Sequence, residues 1–148
     1  MAARVVDKLP EGDDWMYEVK FDGYRALLLK DGDNVRIRSR NDKDLTNAYP
    51  SVVKAGQRLK ARQAVMDGEI VAIDAKGLPS FQALQHRAAH PGHAIVFYAF
   101  DLLHLDGVDL TTATLQERRA RLPQVVDKSG VLLSIELPGT PQQVIEAV

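Results

Sequence analysis

Three short segments near the start of the chain are rich in apolar residues and are separated by turn-forming residues. Runs of this length and composition are typical of β-strands. The pattern predicts strands at Trp15–Phe21, Arg25–Lys30 and Asn34–Arg38. Residues 31–34 read Asp-Gly-Asp-Asn, and Gly and Asn tolerate the positive φ of a tight turn. The second and third strands are therefore expected to form a hairpin.

The rest of the chain mixes strand patterns with helix patterns. Further strands are predicted at Val65–Asp74, at Ile95–Leu105 before an Asp106-Gly107 turn, and at Val131–Leu137. Two helices are predicted at Ser51–Arg62, with Ser51 as the cap, and from Ser80 to about His90. A third begins at Thr114 and is interrupted or ended at Pro123. A fourth begins with Thr140 as cap and Pro141 in its first position. Gly68 within a strand predicts a bend or a close backbone approach. The irregular order predicts an α+β fold of mainly antiparallel sheets with flanking helices.

Composition narrows the class of protein. The 148 residues, 45% of them hydrophobic, suit one globular domain over 1–148 rather than disorder. A formal charge of −1 lacks the basic excess of a self-sufficient nucleic-acid binder, so such contacts must be local or supplied elsewhere. The absence of cysteine excludes disulfides, a thiolate nucleophile and Cys-ligated zinc. No apolar run approaches the roughly 20 residues of a membrane span, so no membrane partner is expected and the cytoplasm is the predicted location.

The chemistry centres on Lys20. On the predicted first strand it shares a face with Glu18 and Asp22, which for an arbitrary protein indicates a solvated face with cross-paired charges. However, Lys20–Arg25 reads Lys-Phe-Asp-Gly-Tyr-Arg, which matches the Lys-x-Asp-Gly-x-Arg nucleophile motif of covalent nucleotidyltransferases. A lysine must lose its proton to attack phosphorus, and flanking carboxylates favour the charged form. The chemistry therefore needs a divalent metal, a second lysine or desolvation nearby.

Three further blocks follow in order. Residues 39–46 carry Arg40 in a polar loop, residues 67–72 begin Asp-Gly-Glu and carry Glu69, and residues 96–107 contain Phe100 within Phe-Asp-Leu-Leu-His-Leu-Asp-Gly. Taken singly, these would be an ordinary loop, a turn and core residues, and Phe97 and Leu103 are expected in the core. Together the four blocks cover residues 10–107 in the order and spacing of one family.

That family is the ATP-dependent DNA ligases, and the chain most resembles the bacterial non-homologous end-joining type often called ligase D. The resemblance implies an ATP-grasp-like nucleotidyltransferase fold, in which Lys20 takes AMP from ATP and passes it to a 5′-phosphate at a DNA nick. The implied roles are Glu18 at the adenine amino group, Arg25 and Arg40 at the sugar or phosphates, Glu69 at the ribose or metal, and Phe100 stacked on the base. It also implies Mg²⁺, nicked double-stranded DNA, other end-joining or repair proteins as partners, and a bacterial, nucleoid-associated setting.

The sequence departs from the family after Gly107. No Glu-Gly-x-x-x-Lys or Lys-x-Lys pattern follows, so we expect a partial adenylation domain without its OB-fold domain and with an unpaired edge at which two copies dimerise. Glu136 lacks the motif surroundings of a metal ligand and is expected at a strand end. The cluster of Arg118, Arg119 and Arg121 could contact DNA but is more typical of a solvated helix face.

Two other functions remain open. One is a nucleotide-binding module or inactive fragment with the same pocket and no covalent activity. The other is an RNA ligase or mRNA-capping guanylyltransferase, which shares the lysine motif. The blocks that begin near Ser39 and Phe97 argue against the latter.

Overall fold

The structure, a computed structural model, describes residues 7–10, 12, 15–139 and 142–143. In chain order its strands are β1 (Tyr17–Glu18), β2 (Tyr24–Asp31), β3 (Asn34–Ser39), β4 (Gln63–Ile73), β5 (Ala94–Leu105), β6 (Val108–Asp109), β7 (Leu132–Leu133) and β8 (Glu136–Leu137). Its helices are α1 (Pro50–Gln57), α2 (Phe81–Gln85) and α3 (Leu115–Val126), with 3-10 helices at Thr46–Ala48 and Arg87–Ala89. Within the described residues, no helix combines the length and the apolar character needed to cross a membrane.

The residues divide into two compact units, each described by itself. The first comprises the described parts of 1–20 and 134–148, and the second comprises 21–133. In the first unit, β1 pairs antiparallel with β8, with Tyr17 opposite Leu137. The Tyr17 hydroxyl donates a hydrogen bond to the Pro10 carbonyl.

The second unit is built on one sheet in the order β3-β2-β4-β5-β6, with β7 added beside β5. All pairs are antiparallel except β5 with β7. The predicted α+β fold with mainly antiparallel strands is thus confirmed. The two predicted turns are present: Gly32 has φ +57, and Asp106 and Gly107 have φ +46 and +88, as a two-residue hairpin with two positive φ angles requires.

The core lies on the sheet face formed by alternate residues of β2, β4 and β5. Its central side chains, each at most 1% exposed, are Leu28, Met66, Ile70, Phe97 and Leu102. Val52 of α1 and the buried residues of α3 belong to the same cluster. Full burial of such a side chain stabilises the fold by about 1.5–3 kcal/mol. Gly68 confirms the predicted close approach, because a Cβ there would lie 2.4 Å from Phe97 Cζ.

The first predicted strand is shorter than expected. Only Tyr17 and Glu18 pair with another strand, because β8 offers a ladder of two residues. Lys20 and Asp22 follow in irregular backbone, so the prediction that they share a strand face with Glu18 is wrong.

Helix α1 begins one residue earlier than predicted and ends five earlier, at Gln57 instead of Arg62. Pro50 occupies the first turn, where its missing N–H costs little, so Ser51 is not the cap. The Ser51 hydroxyl instead donates to the Ile95 carbonyl at 2.9 Å. At the other end, Lys30 Nζ donates hydrogen bonds to the carbonyls of Gly56 and Gln57, the last two residues of the helix.

Later elements also differ from the patterns. Pro123 lies inside α3, which continues to Val126, since the buried residues on both sides of the proline offset the roughly 3 kcal/mol that an interior proline costs. Helix α2 begins at the predicted place, with Ser80 as its N-cap, but it ends at Gln85 and a 3-10 helix follows at Arg87–Ala89. The strand predicted at 131–137 is split into β7 and β8, which belong to different sheets. The helix start predicted at Thr140 and Pro141 lies outside the described residues.

Candidate active site

Polar side chains gather on the face of β2, β4 and β5 opposite the core. The register places Arg25 opposite Glu69, Glu69 opposite Tyr98, and Asp67 opposite Asp101. Since side chains alternate along a strand, the buried neighbours at 26, 66, 68 and 97 leave these residues on the other face. Residues that are far apart in the sequence therefore share one small surface.

Arg25 is held on this face by Asp67. The Arg25 Nε atom lies 3.0 Å from Asp67 Oδ1 and Nη2 lies 2.7 Å from Oδ2, which is a bidentate pair. The hydrogen bonds that Arg25 donates to Asp67 raise the pKa of the Arg25 guanidinium, with added attraction from Asp67, Glu69 and Asp101. One third of the Arg25 side chain remains exposed. Arg25 is thus a fixed cation that still faces solvent, and the sequence did not predict Asp67 as its partner.

Phe100 occupies a β-bulge. Gly68 pairs with Ala99 and Asp67 pairs with Asp101, so β5 has one more residue than β4 at this point, and that residue is Phe100. The guanidinium carbon of Arg25 lies 5.4 Å from the centre of the Phe100 ring, within the range of a cation–π contact. The structure thus brings together three of the predicted site residues, Arg25, Glu69 and Phe100.

Strand β5 contains a second irregularity, next to Leu103, which was predicted to lie in the core. Met66 pairs with Leu102 and Val65 with His104, so Leu103 is also an extra residue in β5. It is half-buried rather than part of the core, whereas Phe97 is 1% exposed as predicted. The bulge at Phe100 is the physical reason. Strict alternation from Phe97 and Ala99 would put residue 103 on the core face, and the extra residue moves that face to Leu102.

Arg118 from α3 forms a second bidentate pair on this face, with Asp101. Its Nε lies 2.7 Å from Asp101 Oδ1 and its Nη2 lies 2.8 Å from Oδ2, and both side chains are about 15% exposed. The hydrogen bond raises the pKa of the Arg118 guanidinium. The prediction of a solvated basic helix face is therefore wrong at Arg118, although Arg121 is exposed.

The residues that follow Lys20 are anchored in the second unit. The Phe21 ring stacks on Tyr98, with centroids 4.0 Å apart and planes 18° apart. A Cβ on Gly23 would lie 2.2 Å from the Ile70 carbonyl oxygen and 3.0 Å from Glu69 Cγ. Only glycine fits there, which explains why the lysine motif contains Gly at this position.

A groove of about 390 Å³ opens beside Arg25. It is lined by Gly23, Tyr24, Arg25, Ser39, Arg40, Asn41, Lys43, Leu45 and Tyr49. Three of these described lining residues are cationic and none is a carboxylate. Burial raises the pKa of the Tyr49 phenol, which therefore stays neutral. The groove suits an anion such as a phosphate. Arg40 and Arg25 both line it.

The two remaining predicted residues belong to the first unit. Glu18 is half-buried in β1, and Lys20 is exposed two residues later. Their roles at the adenine and at the α-phosphate stay predictions.

Known proteins resemble this chain over nearly its whole length. Residues 2–140 match the family model of the ATP-dependent DNA ligase domain. The chain is 37% identical over 134 residues to the multifunctional non-homologous end joining protein LigD of Mycolicibacterium smegmatis, a match that covers 90% of this chain and 17% of that protein. It resembles the crystal structure of the ligase domain from M. tuberculosis LigD with a TM-score of 0.78 and 36% identity, and a mycobacterial DNA ligase D complexed with ATP and MES with a TM-score of 0.79 and 36% identity. Each structural match covers 90% of this chain and 44% of the other, so the chain spans less than half of these relatives.

Proposed function

The chain belongs to the ATP-dependent DNA ligase family, and from this premise we propose that it forms a covalent lysyl-AMP on Lys20 for transfer to a DNA 5′-phosphate at a nick. The observation that carries the proposal is the meeting of Arg25, the last residue of the lysine motif, with Glu69 and Phe100 on one sheet face. A cation, a carboxylate and an aromatic ring are the groups that a nucleotide requires for its phosphates, ribose and base. The mycobacterial relative complexed with ATP supports ATP as that nucleotide.

Each part of ATP has a proposed partner. Phe100 stacks on the adenine, a contact worth about 1–3 kcal/mol per base. Glu69 accepts hydrogen bonds from the ribose hydroxyls, and Glu18 accepts one from the adenine amino group. Arg25 and Arg40 hold the phosphates, because guanidinium groups match phosphate oxygens in geometry and charge.

The proposed reaction has two transfers at one phosphorus atom. Deprotonated Lys20 Nζ attacks the α-phosphorus, an N–P bond forms, and the P–O bond to the β-phosphate breaks with release of pyrophosphate. A DNA 5′-phosphate oxygen then attacks the same phosphorus, so that AMP leaves the lysine and the amine is restored. Arg40 and Lys43 in the cationic groove offset the negative charge on the leaving group.

We also propose Glu69 as the protein ligand for magnesium. Magnesium is usually held by one or two carboxylates together with substrate phosphates, and a half-buried Glu69 on the nucleotide face fits that mode. Bound there, the ion would supply charge neutralisation to the triphosphate.

The partners follow from the same premise. We propose nicked double-stranded DNA as the substrate, end-joining or repair proteins as partners, and the bacterial cytoplasm at the nucleoid as the location. Pairing of two copies through an open strand edge remains a separate proposal. Light scattering on the concentrated protein tests it, and a monodisperse monomer would exclude such pairing.

An intact mass spectrum tests the covalent step. Protein stripped with pyrophosphate and then incubated with ATP and magnesium should gain the mass of one AMP. Lys20→Ala should gain nothing, while the control Lys76→Ala, at an exposed turn, should behave as wild type. Absence of a gain despite ATP binding by calorimetry would favour a nucleotide-binding module without covalent chemistry. A gain from GTP in place of ATP would favour a capping-type enzyme.

A further inference from the structure

We propose that Arg118 is a positioning residue for recognition of the adenine base: through Asp101 it fixes the β-bulge that holds Phe100 in the nucleotide site. The inference rests on the proposed nucleotide site and names a determinant of base binding that lies outside the four sequence blocks. It depends on the arrangement of Asp101, Phe100 and Arg118 on and beside β5.

Two carboxylates face each other next to the bulge. Asp67 and Asp101 are register partners on adjacent antiparallel strands. Like charges directly opposite each other on a sheet destabilise it unless they are compensated. Arg25 compensates Asp67 from β2, and Arg118 compensates Asp101 from α3, each through two hydrogen bonds. Arg118 therefore offsets the repulsion between the two carboxylates at this position.

Because of the bulge, the position of the Phe100 ring depends on Asp101. Phe100 is the unpaired residue between Ala99 and Asp101, so no register partner on β4 fixes it directly. Its position depends on the residues on either side of it in the chain. Asp101 is fixed by the Arg118 pair and by the hydrogen bond that its Oδ1 accepts from Leu102 N at 2.8 Å. The Arg118 pair thus anchors the C-terminal side of the bulge.

The arginine itself is rigidly placed. Thr114 and Glu117 form a capping box at the start of α3, and Arg118 is the next residue. Its Nη1 donates to the Ala113 carbonyl at 2.7 Å while the other two nitrogens hold Asp101. Because the planar guanidinium is held at all three nitrogens, Arg118 fixes Asp101 of β5 relative to α3.

Loss of Arg118 leaves the opposite side of the ring in place. Arg25 lies over Phe100, and its bidentate pair with Asp67 does not involve Arg118. The cation that faces the phosphates is therefore retained without Arg118. Loss of Arg118 acts on Phe100 through Asp101.

Calorimetry with two ligands tests the inference. ATP carries a base and inorganic tripolyphosphate does not, so a residue that acts through Phe100 affects only the first. We expect Arg118→Gln to weaken ATP binding by about tenfold, within the range of base stacking, and to leave tripolyphosphate binding within about twofold of wild type. Arg121→Gln, an exposed arginine on the same helix, is the control and should change neither.

Two further variants distinguish a role of Arg118 in base binding from a general loss of structure. In the double variant Asp101→Asn/Arg118→Gln the uncompensated charge is absent, so the protein should fold, and the same selective loss of ATP binding is expected. In a Phe100→Leu background, Arg118→Gln should add no more than about twofold to the loss, because coupled residues are non-additive. Equal weakening of both ligands, wild-type ATP affinity in the double variant, or full additivity with Phe100→Leu would each overturn the inference. A wild-type protein that binds tripolyphosphate but not ATP would instead overturn the proposed function and the inference together.

Discussion

Asp67 and Asp101 lie directly opposite each other on β4 and β5, and each receives both arms of an arginine from a different element. The two pairs neutralise a sheet face that would otherwise carry adjacent negative charges. They also fix the Arg25 cation and the Phe100 bulge before a ligand binds. Preorganised groups of this kind contribute to catalysis because they need not rearrange during the reaction.

The Arg25 pair should stabilise the fold as well as the site. We expect Arg25→Gln to lower the free energy of unfolding by about 1–3 kcal/mol, since the Asp67 carboxylate would lose its two hydrogen bonds from a charged donor. Urea denaturation measures this change. The control is Arg36→Gln, at an exposed position on the same sheet face in β3, which should cost less than about 0.5 kcal/mol. Equal losses in the two variants would show that the pair contributes nothing specific.

Gly23 should not tolerate a side chain. A methyl group at this position would overlap the Ile70 carbonyl oxygen, so Gly23→Ala should force β2 away from β4 and cost about 1–3 kcal/mol. Thermal melting provides the measurement. Gly92→Ala is the matched control, because nothing lies within 4 Å of a Cβ there and its φ is not positive. A Gly23→Ala protein as stable as Gly92→Ala would contradict the packing described here.

The capping box of α3 should give a pH-dependent contribution to stability. Hydrogen bonds from Thr114 lower the pKa of Glu117 below its usual 4.5. A carboxyl with a depressed folded-state pKa stabilises the fold above its unfolded pKa, and this contribution is lost as the pH falls through the folded value. Glu117→Ala should therefore lower the melting temperature more at about pH 7 than at about pH 3. Gln116→Ala, at a neutral neighbour, should show no such trend.

The cationic groove should bind phosphate without regard to the base. Arg40→Gln should weaken ATP and tripolyphosphate equally, by about threefold, because an exposed charge contributes modestly. Calorimetry at two salt concentrations measures this loss, which should shrink as salt screens the charge. Selective loss of ATP binding would indicate that Arg40 contacts the base or the sugar and not the phosphates.

The features that were predictable from the sequence have local signals. The Asp106-Gly107 turn follows from residues that accept positive φ, and the start of α3 follows from Thr114 with Glu117 three residues later. The lysine motif and the Asp67-Gly68-Glu69 block are likewise contiguous in the chain. These features could be read without knowing which elements meet in space.

The features that were missed depend on distant contacts. Whether β1 extends to Lys20 depends on the length of β8, more than a hundred residues later. The bulge at Phe100 arises from the register between β4 and β5, and no residue type marks it. The Arg118–Asp101 pair joins a helix to a strand across 17 positions, and an arginine on a helix gives no signal that it points inward.

The most direct measurement is to locate the AMP by tandem mass spectrometry of peptides from protein treated with ATP and magnesium. Lys20 should carry the adduct, and peptides that contain Lys30, Lys43 or Lys76 should be unmodified. An adduct on another lysine, or an adduct that persists in Lys20→Ala, would contradict the assignment of Lys20 as the nucleophile.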